Sequence, residues 1–140
     1  MTFEECIAQG LLRKSGLAGE RVSQSIELGD KFLKSAERNL EMGELEVCEI
    51  ISYNALFHFA RALLFHKGLV ERSHACLFIA LKKLYQGNAG LFDEADRMRR
   101  ERHNLQYGGF AASRESSLYS LKFAKSFGEA AKKLLKTKAQ

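Results

Sequence analysis

Ile50-Ile51-Ser52-Tyr53-Asn54-Ala55-Leu56-Phe57-His58-Phe59-Ala60-Arg61-Ala62-Leu63-Leu64-Phe65 is the stretch on which the fold turns. Plotted on a helix, its apolar side chains fall on every side rather than along one stripe. A soluble helix of that kind has to be covered on more than one face. In a chain of 140 residues, one face can meet the core and another a partner chain. The most apolar part, Ala55 to Phe65, is interrupted by His58 and Arg61 and is too short to span a bilayer. The pattern predicts a helix from about Glu44 to Lys67, ended by Gly68.

Working outward, a long amphipathic helix is expected over Val22 to Met42. Ile26, Phe32 or Leu33, Ala36 and Leu40 form its inner face, and Lys31, Lys34, Glu37 and Arg38 its outer one. Gly43 stops it, in the position that suits a left-handed cap. On the other side, Ser73 reads as an N-cap for a helix over 74–85. A loop at 87–90 precedes a charged helix over 91–107, closed by Gly108-Gly109. A last helix runs from Ser113 to Lys136, with Leu118, Leu121, Ala124, Phe127, Ala131 and Leu135 as its stripe. Residues 3–14 form a short helix and Ser15 to Gly19 a loop. The chain has no proline and is rich in good helix formers, and no strand-like alternation or internal repeat stands out. The expectation is one all-α domain over 1–140, with 1–20 as an N-terminal extension and the bundle in 22–136.

The hydrophobic fraction of 46% and charged fraction of 28% are those of a globular protein. The net charge of +5 is matched by the segment Lys122 to Gln140 alone, with its six lysines and the single Glu129. Such an end can meet nucleic-acid phosphates, or it can be a solvated face with cations suited to a helix C-terminus. Cys6, Cys48 and Cys76 are odd in number and far apart, with no CxxC pair, which supports neither a zinc nor a redox motif. Cys48 and Cys76 sit among apolar residues and read as buried thiols. That usage, with no basic start followed by an apolar run, fits a soluble cytoplasmic protein.

Two constellations could carry chemistry. On the charged helix the core stripe is Leu91, Ala95, Met98 and Leu105. Arg99, His103 and Tyr107 follow at i, i+4, i+8 on another face, with Phe92 and Asp96 near it. A histidine titrates near neutral pH and arginine suits phosphate, a pairing fit for phosphodiester cleavage. The competing reading is a solvated arginine-rich face. On the apolar helix, Asn54, His58 and Arg61 share one face and are either a structural hydrogen-bond network or part of a ligand cleft. His66 and His74 have no metal-ligand company, and no metal or cofactor is expected. Gly108-Gly109 lacks the rest of any phosphate-loop motif.

Three stretches resemble the HEPN domain family, in particular its short stand-alone prokaryotic members. They are Ala36 to Glu49; Ser52 to Leu64 with Lys67-Gly68 and Arg72-Ser73-His74; and Asp96-Arg97-Met98-Arg99-Arg100-Glu101-Arg102-His103 with Tyr107-Gly108. The resemblance implies an up-and-down bundle of four to five helices that forms a homodimer. Many family members are metal-independent ribonucleases, whose signature is an arginine, four to six residues, then a histidine. Arg97, five intervening residues and His103 satisfy it. Arg97 would bind the phosphate and His103 would act in proton transfer, at a site formed where two protomers meet. Arg97 lies about 120° from His103 around the helix and Arg99 on the same face, so Arg99 is the alternative arginine. Asn54, His58, Arg61, Asp96, Arg100 and Tyr107 would line an RNA or nucleotide site. The resemblance also implies a toxin-like role beside a minimal nucleotidyltransferase acting as antitoxin, for which Tyr107 stands near the tyrosine that some family toxins have modified. The alternative is a non-catalytic nucleotide- or partner-binding module.

Overall fold

The computed structural model describes residues 1–109 and 111–137. In chain order these form α1 (Phe3–Ala8), β1 (Leu12–Lys14), a 3-10 turn (Ala18–Arg21), α2 (Val22–Glu41), α3 (Leu45–His66), β2 (Leu69–Glu71), α4 (His74–Leu84), α5 (Ala89–Tyr107) and α6 (Arg114–Lys136). The long helices α2, α3 and α6 pack on one another, and α4 and α5 close the bundle on the other side of α3. The stops expected at Gly43 and Gly68 hold, with φ of 78° and 77°. Ser73 and Ser113 cap α4 and α6 by accepting from the backbone N–H groups of Cys76 and Ser116.

α3 is the centre of the molecule. Tyr53, Ala55, Leu56, Phe59, Ala60, Leu63, Leu64 and Phe65 are buried on its various sides. They are covered by α2, α6, α5, α4 and β2 of the same chain. From Tyr53 to Phe65 the cover comes mostly from the same chain, while Val47 nearer the start of the helix stays 39% exposed. Phe59 shows how closely the cover fits. A Cβ on Gly29 of α2 would lie 2.4 Å from its ring, and one on Gly128 of α6 2.7 Å from it. Each mid-helix glycine costs about 0.5–1 kcal/mol relative to alanine. Burying the phenylalanine gains about 1.5–3 kcal/mol, which offsets the two glycines' combined cost of about 1–2 kcal/mol. Tyr85 keeps its buried hydroxyl satisfied by donating to the Leu63 carbonyl at 2.6 Å.

Four expectations are corrected. Leu12–Lys14 is a strand, not the end of a helix. It pairs antiparallel with Leu69–Glu71, Arg13 opposite Val70, a segment too short to show alternation in the sequence. α5 begins at Ala89, inside the expected loop. Phe92, assigned to the outer face of that helix, is fully buried and meets Phe127 edge-on at 6.1 Å. Leu118, assigned to the α6 stripe, is 38% exposed.

The cysteines are the remaining correction. Folding α1 back onto α4 brings Cys6 and Cys76, 70 residues apart in sequence, into a disulfide, and only Cys48 remains a free buried thiol. Closing a loop of that length stabilises by about 4 kcal/mol in the chain-entropy account. With this bridge, cysteine usage no longer argues for a reducing compartment. No helix among the described residues is long and apolar enough to cross a membrane.

Candidate functional site

α5 carries the densest charge. Phe92, Ala95 and Met98 bury one side of it, and its arginines and carboxylates project from the rest. These cations are not equivalent. Arg97 turns toward α6, where Nη2 donates to Glu94 Oε2 at 2.7 Å, Nη1 donates to Glu101, and the guanidinium lies 5.8 Å from the Tyr119 ring centroid. Tyr119 also donates its hydroxyl to Glu94. The hydrogen bond from Arg97 holds the Glu94 carboxyl below its usual range, and the one to Glu94 raises the pKa of Arg97 itself.

Arg99 and Arg100 turn the other way and share one acceptor. Arg99 Nε donates to Asp96 Oδ1 at 2.7 Å and Arg100 Nη1 to Asp96 Oδ2 at 2.6 Å. With His103 and Asn104 they line an open hollow of about 350 Å³. The His103 ring packs against Tyr107 with centroids 5.0 Å apart, and Tyr107 is 70% exposed. The structure thus brings His103 together with Arg99 and Arg100, held by Asp96. It places Arg97 in a separate ion-pair cluster on the α6 side. Chemically, the hollow offers two permanent cations on one carboxylate, leaving net positive charge beside an imidazole. That is an arrangement suited to a phosphodiester.

The polar set on α3 is separate from this hollow but not remote from its helix. Arg61 Nε donates to Glu71 Oε1 at 3.0 Å, and its guanidinium lies 5.5 Å from the Phe57 ring centroid and 4.9 Å from that of Phe65. His58 stacks on Phe32 at 5.3 Å, and its Nδ1 is buried with no partner among the described residues. Burial, reinforced by Arg61, pushes the pKa of His58 down. Asn54 is half-buried one turn away.

Three side chains that the sequence did not single out join the two sets. His74, at the first turn of α4, stacks on Phe57 at 4.0 Å, and its Nδ1 is 2.9 Å from the Tyr53 hydroxyl. Arg102 of α5 lies over the Tyr53 ring at 5.0 Å, with its Nε buried and unpartnered among the described residues. Burial, followed by the charges of Arg102, Arg99 and Arg61, lowers the pKa of His74 to about 4. Burial likewise raises that of Tyr53. The pair is therefore a neutral imidazole and a neutral phenol at neutral pH, sharing one proton in a cationic surround. The pair comes from α3 and α4 and its nearest cation, Arg102, from α5, so no spacing along the chain could reveal it.

The basic C-terminal segment takes the more ordinary of its two readings at two positions. Lys125 pairs with Glu37 at 3.0 Å and Lys132 with Asp30 at 2.9 Å, both across to α2. Lys138 and the residues after it lie outside the described residues. Among the described residues, no three His, Cys, Asp or Glu side chains converge as metal ligands. Compared with known families, residues 22–135 match the model of the HEPN domain. No curated protein matches the chain at a significant level.

Proposed function

Because the chain belongs to the HEPN domain family, we propose that it is a toxin-like, metal-independent endoribonuclease with His103 and Arg99 at its working centre. The observation that carries this reading is the shared hollow of Arg99, Arg100 and His103. Arg97, the arginine that best fits the family's spacing, is engaged by Glu94 and Glu101. In this reading Arg99 binds a nonbridging phosphate oxygen and stabilises the charge that grows there during reaction. The RNA 2′-hydroxyl attacks phosphorus and loses its proton, the P–O5′ bond breaks, and the departing 5′-oxygen gains a proton. The products are a 2′,3′-cyclic phosphate and a 5′-hydroxyl. An imidazole can serve at either proton-transfer step. A homodimer that sets two such hollows face to face would supply one histidine for each. The exposed Tyr107 beside this hollow is available to a partner chain or to a nucleotidyltransferase acting as antitoxin.

A second reading is a non-catalytic module that holds a nucleotide or partner. It is favoured by the salt bridges that already occupy Arg99 and Arg100, which a ligand anion would have to share with Asp96. Cleavage of RNA by the purified protein in the presence of EDTA decides between the two. Ribonuclease activity is expected, with His103→Ala slower by about 10²–10⁴-fold and Arg99→Ala impaired more than Arg97→Ala. The same rate for His103→Ala, with its helical circular dichroism intact, would remove His103 from the mechanism. No cleavage by a well-folded dimer would favour the binding module.

A further inference from the structure

The region matched by the family begins at residue 22, yet the residues before it are built into the body of the protein. β1 pairs with β2, the Ser15 N–H donates to the Gly68 carbonyl at 2.9 Å, and Cys6 is bonded to Cys76 of α4. Between this N-terminal arm and the bundle lies a hollow of about 670 Å³, within the range of small-molecule sites. Its walls are apolar: Phe3 and Ile7 from α1, Leu69 from β2 and Leu84 from α4. Phe3, Cys6 and Ile7 stand at i, i+3 and i+4 on α1, so the disulfide pins the face that forms the wall. A wall fixed in this way costs little to order when a ligand binds.

The lining is also charged in one sense only. Lys14 and Lys67 border the hollow and no carboxylate among the described residues does. Neither lysine forms an ion pair among the described residues. The Lys67 ammonium rests 4.8 Å from the Tyr85 ring centroid. An apolar trough edged by two unpaired cations complements a molecule with an apolar body and one anionic head.

We propose that this arm-and-bundle hollow binds amphipathic monoanions of the acyl carboxylate class, with the chain along Phe3, Ile7, Leu69 and Leu84 and the carboxylate between Lys14 and Lys67. The site is separate from the α5 hollow and stands whether or not the protein cleaves RNA. The test is a titration of the oxidised, isotope-labelled protein with octanoate, followed through its backbone amide resonances. Saturable shifts are expected at Gly16, Gly68 and Leu69, with affinity falling about fourfold for each methylene removed in going to hexanoate. Octyltrimethylammonium, of equal chain length and opposite charge, should bind at least tenfold more weakly. A Lys14→Glu, Lys67→Glu double variant should lose at least tenfold in octanoate affinity with its circular dichroism unchanged. Both changes lie at the edge of the hollow rather than in the core. Equal binding of the two probes, undiminished octanoate binding by the double variant, shifts confined to other surfaces, or no saturable shift would each overturn the proposal.

Discussion

α3 and α5 are neighbours of similar length, and the chain uses them in opposite ways. Twelve of the 22 residues of α3 are buried, against three of the 19 in α5. α3 is surrounded by its own chain and holds the other helices in place. α5 rests on a narrow strip and displays guanidinium groups on two different sides. Stability therefore belongs mostly to the first helix, and the proposed chemistry to the second. Substitution can test that division, since changes in α3 should unfold the protein and changes in α5 should alter the proposed activity with little effect on the fold.

The largest effect is expected at Phe59. Phe59→Ala removes a fully buried ring from between α2 and α6 and should cost about 3–5 kcal/mol. Urea denaturation would measure it. A loss below about 1 kcal/mol would mean that α2 and α6 collapse onto the vacated space, which the division between the helices does not allow. The reverse change is smaller. Gly29→Ala adds a methyl group where a Cβ would stand 2.4 Å from the Phe59 ring. It should destabilise by about 1–3 kcal/mol through overpacking, even though alanine is the better helix former. A stabilised variant would show that the ring has room to move aside.

The same contrast explains how far the sequence could be read. The helix around Phe59 was legible because burial leaves a periodic trace in residue type, and Gly43, Gly68 and Ser73 mark the ends of elements through backbone requirements that few residues meet. Gly29 and Gly128 were not legible as a pair, because their reason is a ring on a third helix. Phe92 was placed on the wrong side of α5 for a related cause. Ala95 and Met98 of its own stripe are buried, and Phe92 joins them because Tyr85 and Phe127 lie against it. On α5 the helical wheel correctly put Arg99 beside His103, since that depends only on spacing. Which carboxylate each arginine would choose depended on Glu94, Asp96, Glu101 and Tyr119 in three dimensions. The disulfide was hidden in the same way, because Cys6 and Cys76 meet only after α1 folds back.

His74 lies where the two regions touch, and it sharpens the comparison most finely. Tyr53 and Phe57 hold its ring from α3, while Arg61 of α3 and Arg99 and Arg102 of α5 surround it with positive charge. Its pKa falls from 6.5 to about 4 in the folded protein. Between these values the unfolded chain binds the additional proton, so acidification favours unfolding. The stabilising contribution is complete above pH 6.5 and is lost as pH falls through 4. Because the ring is only partly buried, the loss is discounted to about 1–2 kcal/mol over that window. Urea denaturation at pH 7 and at pH 4.5, compared with His74→Asn, would isolate it. The variant should lose less stability than the parent on acidification. Arg102→Gln, which removes the strongest of the three charges acting on His74, should fall between them. If Arg102→Gln follows the parent throughout, the cations of α5 do not act on His74, and the two helices are coupled by packing alone.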